Sequence, residues 1–88
     1  MLIKEIVIEI GESDGLHARP AAELAVLAKR FKSSIVLKSA AKEANAKSVI
    51  SILALGLKQG SIVNLKAEGE DCEEAIREII IFFNHIHS

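Results

Sequence analysis

The chain has 88 residues, half of them hydrophobic, with 11 basic and 12 acidic side chains and a net charge of −1; residues 1–88 are read as one domain with a small core, and a second domain is excluded. There is no basic run and only three aromatics, all Phe, so the electrostatic footprint and the stacking residues of a nucleic-acid binder are missing. The lone Cys72 excludes an internal disulfide framework and a cysteine-based metal site.

The longest apolar run, Ile79 to Phe83, falls far short of the ~18 to 20 residues that span a bilayer. The opening residues carry Lys4, Glu5 and Glu9 instead of a signal-peptide core. No membrane insertion and a reducing, cytoplasmic setting are the expectation.

Leu2 to Ile10 alternates, with Ile6, Ile8 and Ile10 on one face and Glu5, Val7 and Glu9 on the other, the pattern of a half-buried strand. Gly11 to Gly15 breaks that pattern as a loop. From Ala18 to about Lys32 the period becomes helical, with Leu24, Leu27, Ala28 and Phe31 at i, i+3, i+4 and i+7. Ser34 to Lys38 is a short β-branched run, and Glu43 to Ala46 is its expected partner strand, although its composition also suits a helix. Ser48 to Leu55 reads as a short helix ending at Gly56. Ser61 to Glu68 alternates again with Val63, Leu65 and Ala67 inward, and Gly69 closes the strand. Asp71 and Glu74 have the spacing of a capping box before a last helix whose stripe is Ala75, Ile76, Ile79, Ile80 and Phe83.

The order βαββαβα implies an α+β domain, three helices on one face of a four-stranded, mostly antiparallel sheet. Glu5, Glu9, Asn64, Lys66 and Glu68 are assigned to the solvent face.

The functional candidates cluster at Gly15-Leu16-His17-Ala18-Arg19-Pro20-Ala21. Pro20 has a φ suited to a first helical turn and no N–H to leave unpaired, which puts His17 at the mouth of the helix. The free N–H groups there carry partial positive charge and bind anions, and Arg19 adds a permanent cation. A histidine placed there looks like a phosphate acceptor, since imidazole is a nucleophile that is uncharged near neutral pH. Short loops leave no room for a closed, water-excluding pocket, so a small enzyme using His17 as nucleophile or base is disfavoured.

Together with that heptapeptide, Asn-Ala-Lys-Ser at 45 to 48, the Leu55-Gly56 helix end and Ala-Glu-Gly-Glu-Asp at 67 to 71 resemble the histidine-containing phosphocarrier family HPr, over essentially the entire chain. The resemblance implies an open-faced β-sandwich. It implies a carrier that takes a phosphoryl group on Nδ1 of His17 from enzyme I of the sugar phosphotransferase system and donates it to the IIA domains of sugar permeases, with Arg19 beside the phosphate. No cofactor and no metal are implied, and a monomer is expected. The chain departs from the usual pattern in the acid Asp14 near His17 and in an alanine-rich stretch from Ser39 to Ala44. A nitrogen-branch phosphocarrier and a purely regulatory HPr-like module stand as alternatives.

Ser48 is placed to cap the short helix with its hydroxyl, and a phosphate there is compatible with the helix dipole. In many low-GC Gram-positive members of the resembled family the matching serine is phosphorylated by an HPr kinase/phosphorylase, which weakens docking to enzyme I and favours a transcriptional coregulator. Ser48 is therefore a candidate regulatory site. At ~100° per residue, Val49, Ile50 and Leu53 share one side of the helix while Ile52 and Leu55 share the other. The first set is expected to form an exposed partner-binding patch, the second to face the core. His85 and His87 do not share a helical face and are not read as a metal pair, and Cys72 is read as structural.

Overall fold

Four segments with two-residue alternation pair into one sheet, and three with helical spacing cover it. The computed structural model describes residues 2–87. In chain order the elements are β1 (Ile3–Glu9), α1 (Ala18–Ala28), β2 (Ser34–Ser39), β3 (Lys42–Asn45), α2 (Val49–Ala54), β4 (Ile62–Glu68) and α3 (Cys72–His87). The spatial strand order is β1-β4-β2-β3, and every ladder is antiparallel, so the "mostly antiparallel" sheet of the sequence reading is antiparallel throughout.

Register converts alternation into a core. Ile6 of β1 faces Leu65 of β4, Leu65 faces Leu37 of β2, and Leu37 faces Ala44 of β3, a row of inward side chains crossing all four strands. Onto it pack Ala21, Leu24, Ala25 and Ala28 from α1, Ile52 from α2, and Ala75, Ile76, Ile79 and Phe83 from α3, in one buried cluster. The opposite face of the sheet carries Glu5, Val7, Glu9, Asn64 and Lys66, exposed or half-buried. Small residues at 21, 25 and 28 let α1 lie close to its neighbours, while the small Ala44 and Ala46 keep the thin edge of the sheet buried.

The β2–β3 hairpin turns on Ala40 and Ala41, and Ala40 has φ +55°. Two-residue hairpins need positive φ because only such turns match the right-handed twist of the strands. Ala44 opposite Leu37 explains why a helix-compatible tetrapeptide is a strand: tertiary burial outweighs weak local preference.

The start of α3 differs from the expected capping box. Asp71 directs its carboxylate across the fold, accepting from the Lys32 N–H (2.8 Å), the Ser33 N–H (2.9 Å) and the Ser33 hydroxyl. Ser33 is completely buried, so Asp71 satisfies the N–H and hydroxyl of a residue that the fold takes out of water. The Ser33 hydroxyl, followed by the Lys32 amide, holds the Asp71 carboxyl down at about 2, against a smaller opposing effect of burial. The contact is possible because position 69 is glycine: at φ +146°, a Cβ there would sit 2.6 Å from Ser33 Oγ and 2.8 Å from its Cα.

Candidate functional site: an exposed histidine at a helix N-terminus

The loop before α1 is bent so that His17 becomes the helix N-cap. Gly15 adopts φ +67°, and a Cβ on it would lie 2.3 Å from the Leu57 carbonyl oxygen and 2.8 Å from Lys58 Cα. The Leu16 N–H donates to that same Leu57 carbonyl at 3.1 Å, and Leu16 and Leu57 are both buried. The histidine loop is thereby pinned to the segment that follows α2. His17 itself is extended (φ −79°, ψ −172°), its carbonyl accepting the first intrahelical bond from the Ala21 N–H at 3.0 Å.

The His17 side chain is exposed and makes no capping bond, and no acidic residue occupies the first turn of α1. The free N–H groups at positions 18 and 19 keep their partial positive charge available to an anion, and Pro20 has no N–H to contribute. Arg19, also exposed, joins His17 in an open cleft of about 530 Å3 lined in addition by Glu12, Asp14, Pro20 and Glu23. The end of α3 supplies the remaining wall, His85 and Ile86.

His85 and Glu23 are members of this cleft that the sequence reading did not assign to it. Glu23 has a local signal, since it lies four residues after Arg19 on the same helical face. His85 has none, because which end of α3 meets the start of α1 is decided by tertiary packing. The His87 side chain lies outside the described residues. Among the described residues no group of three or more His, Cys, Asp or Glu is arranged to hold a metal ion.

Ser48 and the apolar candidates sit on α2, apart from the cleft lining. The residues Asn45 to Ser48 form a small hydrogen-bonded unit. Asn45 Oδ1 accepts from the Lys47 N–H at 2.9 Å, Ala46 is fully buried, and Lys47 Nζ donates to the Phe31 carbonyl at 2.8 Å, just beyond the end of α1. A lysine is well placed there because its charge meets the negative end of a helix. Ser48 is the N-cap of α2, its Oγ accepting from the Ser51 N–H at 3.2 Å. Gly56 follows the helix at φ +62°, the left-handed stop that glycine adopts without strain.

Ile50 is 82% exposed and Leu53 40%, whereas Ile52 and Leu55 are buried. Val49 is corrected from the expected exposed patch: it is half-buried and packed against the core cluster. It is the first residue of α2, a helix that packs on β3 and α1.

Comparison with known proteins places this arrangement. A family model described as the PTS HPr component phosphorylation site matches residues 4–85. The phosphocarrier protein HPr of Vibrio cholerae is 38% identical over 80 residues, 91% of this chain and 94% of that protein. The crystal structure of an HPr from Thermoanaerobacter tengcongensis superposes with a TM-score of 0.91 at 44% identity, covering 96% of this chain and 94% of that one. Crh, the catabolite repression protein of Bacillus subtilis, whose crystal structure is a domain-swapped dimer, gives a TM-score of 0.75 at 35% identity over 90% of this chain and 91% of the other. With the same fold and a family match running from the first strand into the last helix, the chain belongs to the HPr family, the phosphocarriers of the phosphotransferase system.

Proposed function

We propose that residues 1–88 act as a single cytoplasmic, monomeric phosphoryl carrier in which His17 accepts from enzyme I and donates to IIA domains of sugar permeases. The observation that carries this reading is the exposed, uncapped His17 at the N-terminus of α1 with Arg19 in the same cleft. In the accepting step the Nδ1 lone pair forms a bond to phosphorus as the phosphorus–nitrogen bond of the phosphorylated donor breaks; donation is the reverse with a new acceptor. Charge spreads over the equatorial oxygens in such a transfer, and the guanidinium of Arg19 and the free amides of α1 meet it without reorganising. The carrier is consumed and regenerated one phosphoryl group at a time, so it turns over no small molecule by itself.

Docking is assigned to Ile50 and Leu53, with Val49 contributing its outer edge. Ser48 is assigned as a regulatory phosphorylation site for an HPr kinase/phosphorylase, with a transcriptional regulator as the partner of the modified form. An N-cap oxygen is where added negative charge meets the helix dipole favourably, so the modification leaves α2 folded and alters the charge beside Ile50.

Incubation with phosphoenolpyruvate and catalytic enzyme I tests the carrier role. An acid-labile adduct of about 80 Da is expected on the protein and is absent from His17→Ala. Arg19→Lys keeps the charge but loses the planar fork, and transfer is expected to slow roughly 10- to 100-fold with an unchanged melting temperature. No adduct with competent enzyme I overturns the reading, and an unchanged rate removes Arg19 from it.

A further inference from the structure

The cleft that presents His17 is lined with the wrong charge for keeping an anion. Glu12 and Asp14 come from the turn just before the histidine, which the Gly15 N–H closes by donating to the Glu12 carbonyl at 2.9 Å, and Glu23 comes from α1, one helical turn beyond Arg19. Among the described residues of that lining Arg19 is the one permanent cation. A phosphoryl group brings a charge of roughly −1.5 to −2. A proton on the second ring nitrogen of the loaded His17 returns at most one positive charge, so loading leaves the ring and its phosphoryl group net negative. The α1 amides and Arg19 meet the phosphoryl oxygens locally, whereas the three carboxylates repel the same charge across the cleft.

We propose that Glu12, Asp14 and Glu23 set the transfer potential of the carrier: by repelling the phosphoryl group on His17 they raise the free energy of the loaded state, so that the group leaves for an acceptor more readily than it would from a neutral cleft. They form no bond to phosphorus and are not catalytic residues. Their effect is on the equilibrium between loaded and empty carrier, and because the cleft is open to solvent, salt screens it.

The inference rests on His17 as the acceptor, and an exchange experiment separates the two. Isotopically heavy wild type and an unlabelled variant are mixed in equal amounts at pH 8 with catalytic enzyme I and limiting phosphoenolpyruvate. The phosphorus–nitrogen bond of one carrier breaks as one to enzyme I forms, and the reverse follows on the other carrier, until the phosphoryl group is shared at equilibrium. The charges of Arg19 and His85 are common to both carriers. Mass spectrometry reads the loaded fraction of each. Asp14 and Glu23 are exposed, so Asp14→Asn and Glu23→Gln leave the packing alone. Each is expected to hold the phosphoryl group about threefold over wild type, and the triple variant with Glu12→Gln about tenfold. The preference should shrink toward one in 1 M salt, where the Debye length is about 3 Å. Glu43→Gln is the control: it removes an exposed carboxylate from β3 on the sheet face opposite the helices, and even sharing is expected.

Even sharing between wild type and both single variants, or a preference for wild type, overturns the proposal and leaves His17 as carrier. A preference that persists in 1 M salt, or that Glu43→Gln matches, also overturns it, since the effect then does not come from charge in the cleft. If wild type alone takes up no phosphoryl group on His17, the carrier reading and this inference fall together.

Discussion

Gly15→Ala separates two costs that usually arrive together. At φ +67° an alanine has left-handed strain of about 1 to 2 kcal/mol. Its Cβ would also stand 2.3 Å from the Leu57 carbonyl oxygen, so the two loops must part and the Leu16-to-Leu57 hydrogen bond is lost. That adds roughly 1 kcal/mol for the bond and at least about 1 kcal/mol for the forced displacement, for a total near 3 to 4 kcal/mol. Gly56→Ala is the matched control, with φ +62° and nothing within 4 Å of the added Cβ; it bears the strain alone, about 1 kcal/mol after the gain from a stiffer unfolded chain. For a domain of this size about 1 kcal/mol corresponds to roughly 4 to 8 °C in melting temperature. Thermal and urea unfolding should place Gly15→Ala at least 8 °C below Gly56→Ala, by the low end of that conversion and a difference of about 2 kcal/mol. Phosphoryl uptake at His17 should fall in Gly15→Ala at temperatures where the protein is still folded, because the loop that presents the histidine has moved. Equal melting temperatures for the two variants, or full uptake in Gly15→Ala, would refute the argument that the Leu57 contact holds the site.

Ile50→Glu, at a position 82% exposed, should weaken partner binding while changing stability by less than about 0.5 kcal/mol; a large stability loss by urea titration would place Ile50 in the core. Ser48→Ala removes the oxygen that accepts the Ser51 N–H and should destabilise by about 1 kcal/mol, read from the same titration. Asp71 titrates at about 2 in the folded protein against an ordinary value of 3.8, so its stabilising bonds are present above that ordinary value and are lost as pH falls toward 2. Urea midpoints should drop across that window in the wild type and drop less in Asp71→Asn; identical slopes would show that Asp71 is not responsible. Ala40→Gly should relieve the left-handed strain at φ +55° and raise the melting temperature by a few degrees, on the order of 0.5 to 1 kcal/mol.

The features visible in the sequence are those that depend on near neighbours. Ile6 and Ile8 against Glu5, Val7 and Glu9 give the inward and outward faces of β1, and Val63, Leu65 and Ala67 do the same for β4. Gly15, His17 and Pro20 mark the entry to α1, and the cap of α2 is legible from Ser48 before an apolar run. What was not legible depends on elements far apart in the chain. Asp71 and Glu74 have capping-box spacing, yet Asp71 serves Ser33, 38 residues away, because Gly69 lets two backbones meet. Val49 shares a helical side with Ile50 and Leu53, but it is half-buried against the core cluster, which helix periodicity alone does not reveal. His85 reaches the His17 cleft through the packing of α3 against β1, β4 and α1, for which no local motif exists.

The strand order has a consequence for how the chain is made. β4, the strand that pairs with both β1 and β2, is the last to be synthesised, and β1 is the first. At roughly 5 to 20 residues per second, β1 waits several seconds for β4, the strand it pairs with, and until then the isoleucines of its inner row lack the neighbouring strand beside which they are buried. Before residue 62 emerges, the β2–β3 hairpin is the only ladder of the sheet that the nascent chain can close. Sheet formation is thus deferred to the end of translation. A ribosome stalled before β4 would expose an unpaired apolar strand, making the final third of the chain the point at which the molecule passes from a sticky intermediate to a protected one.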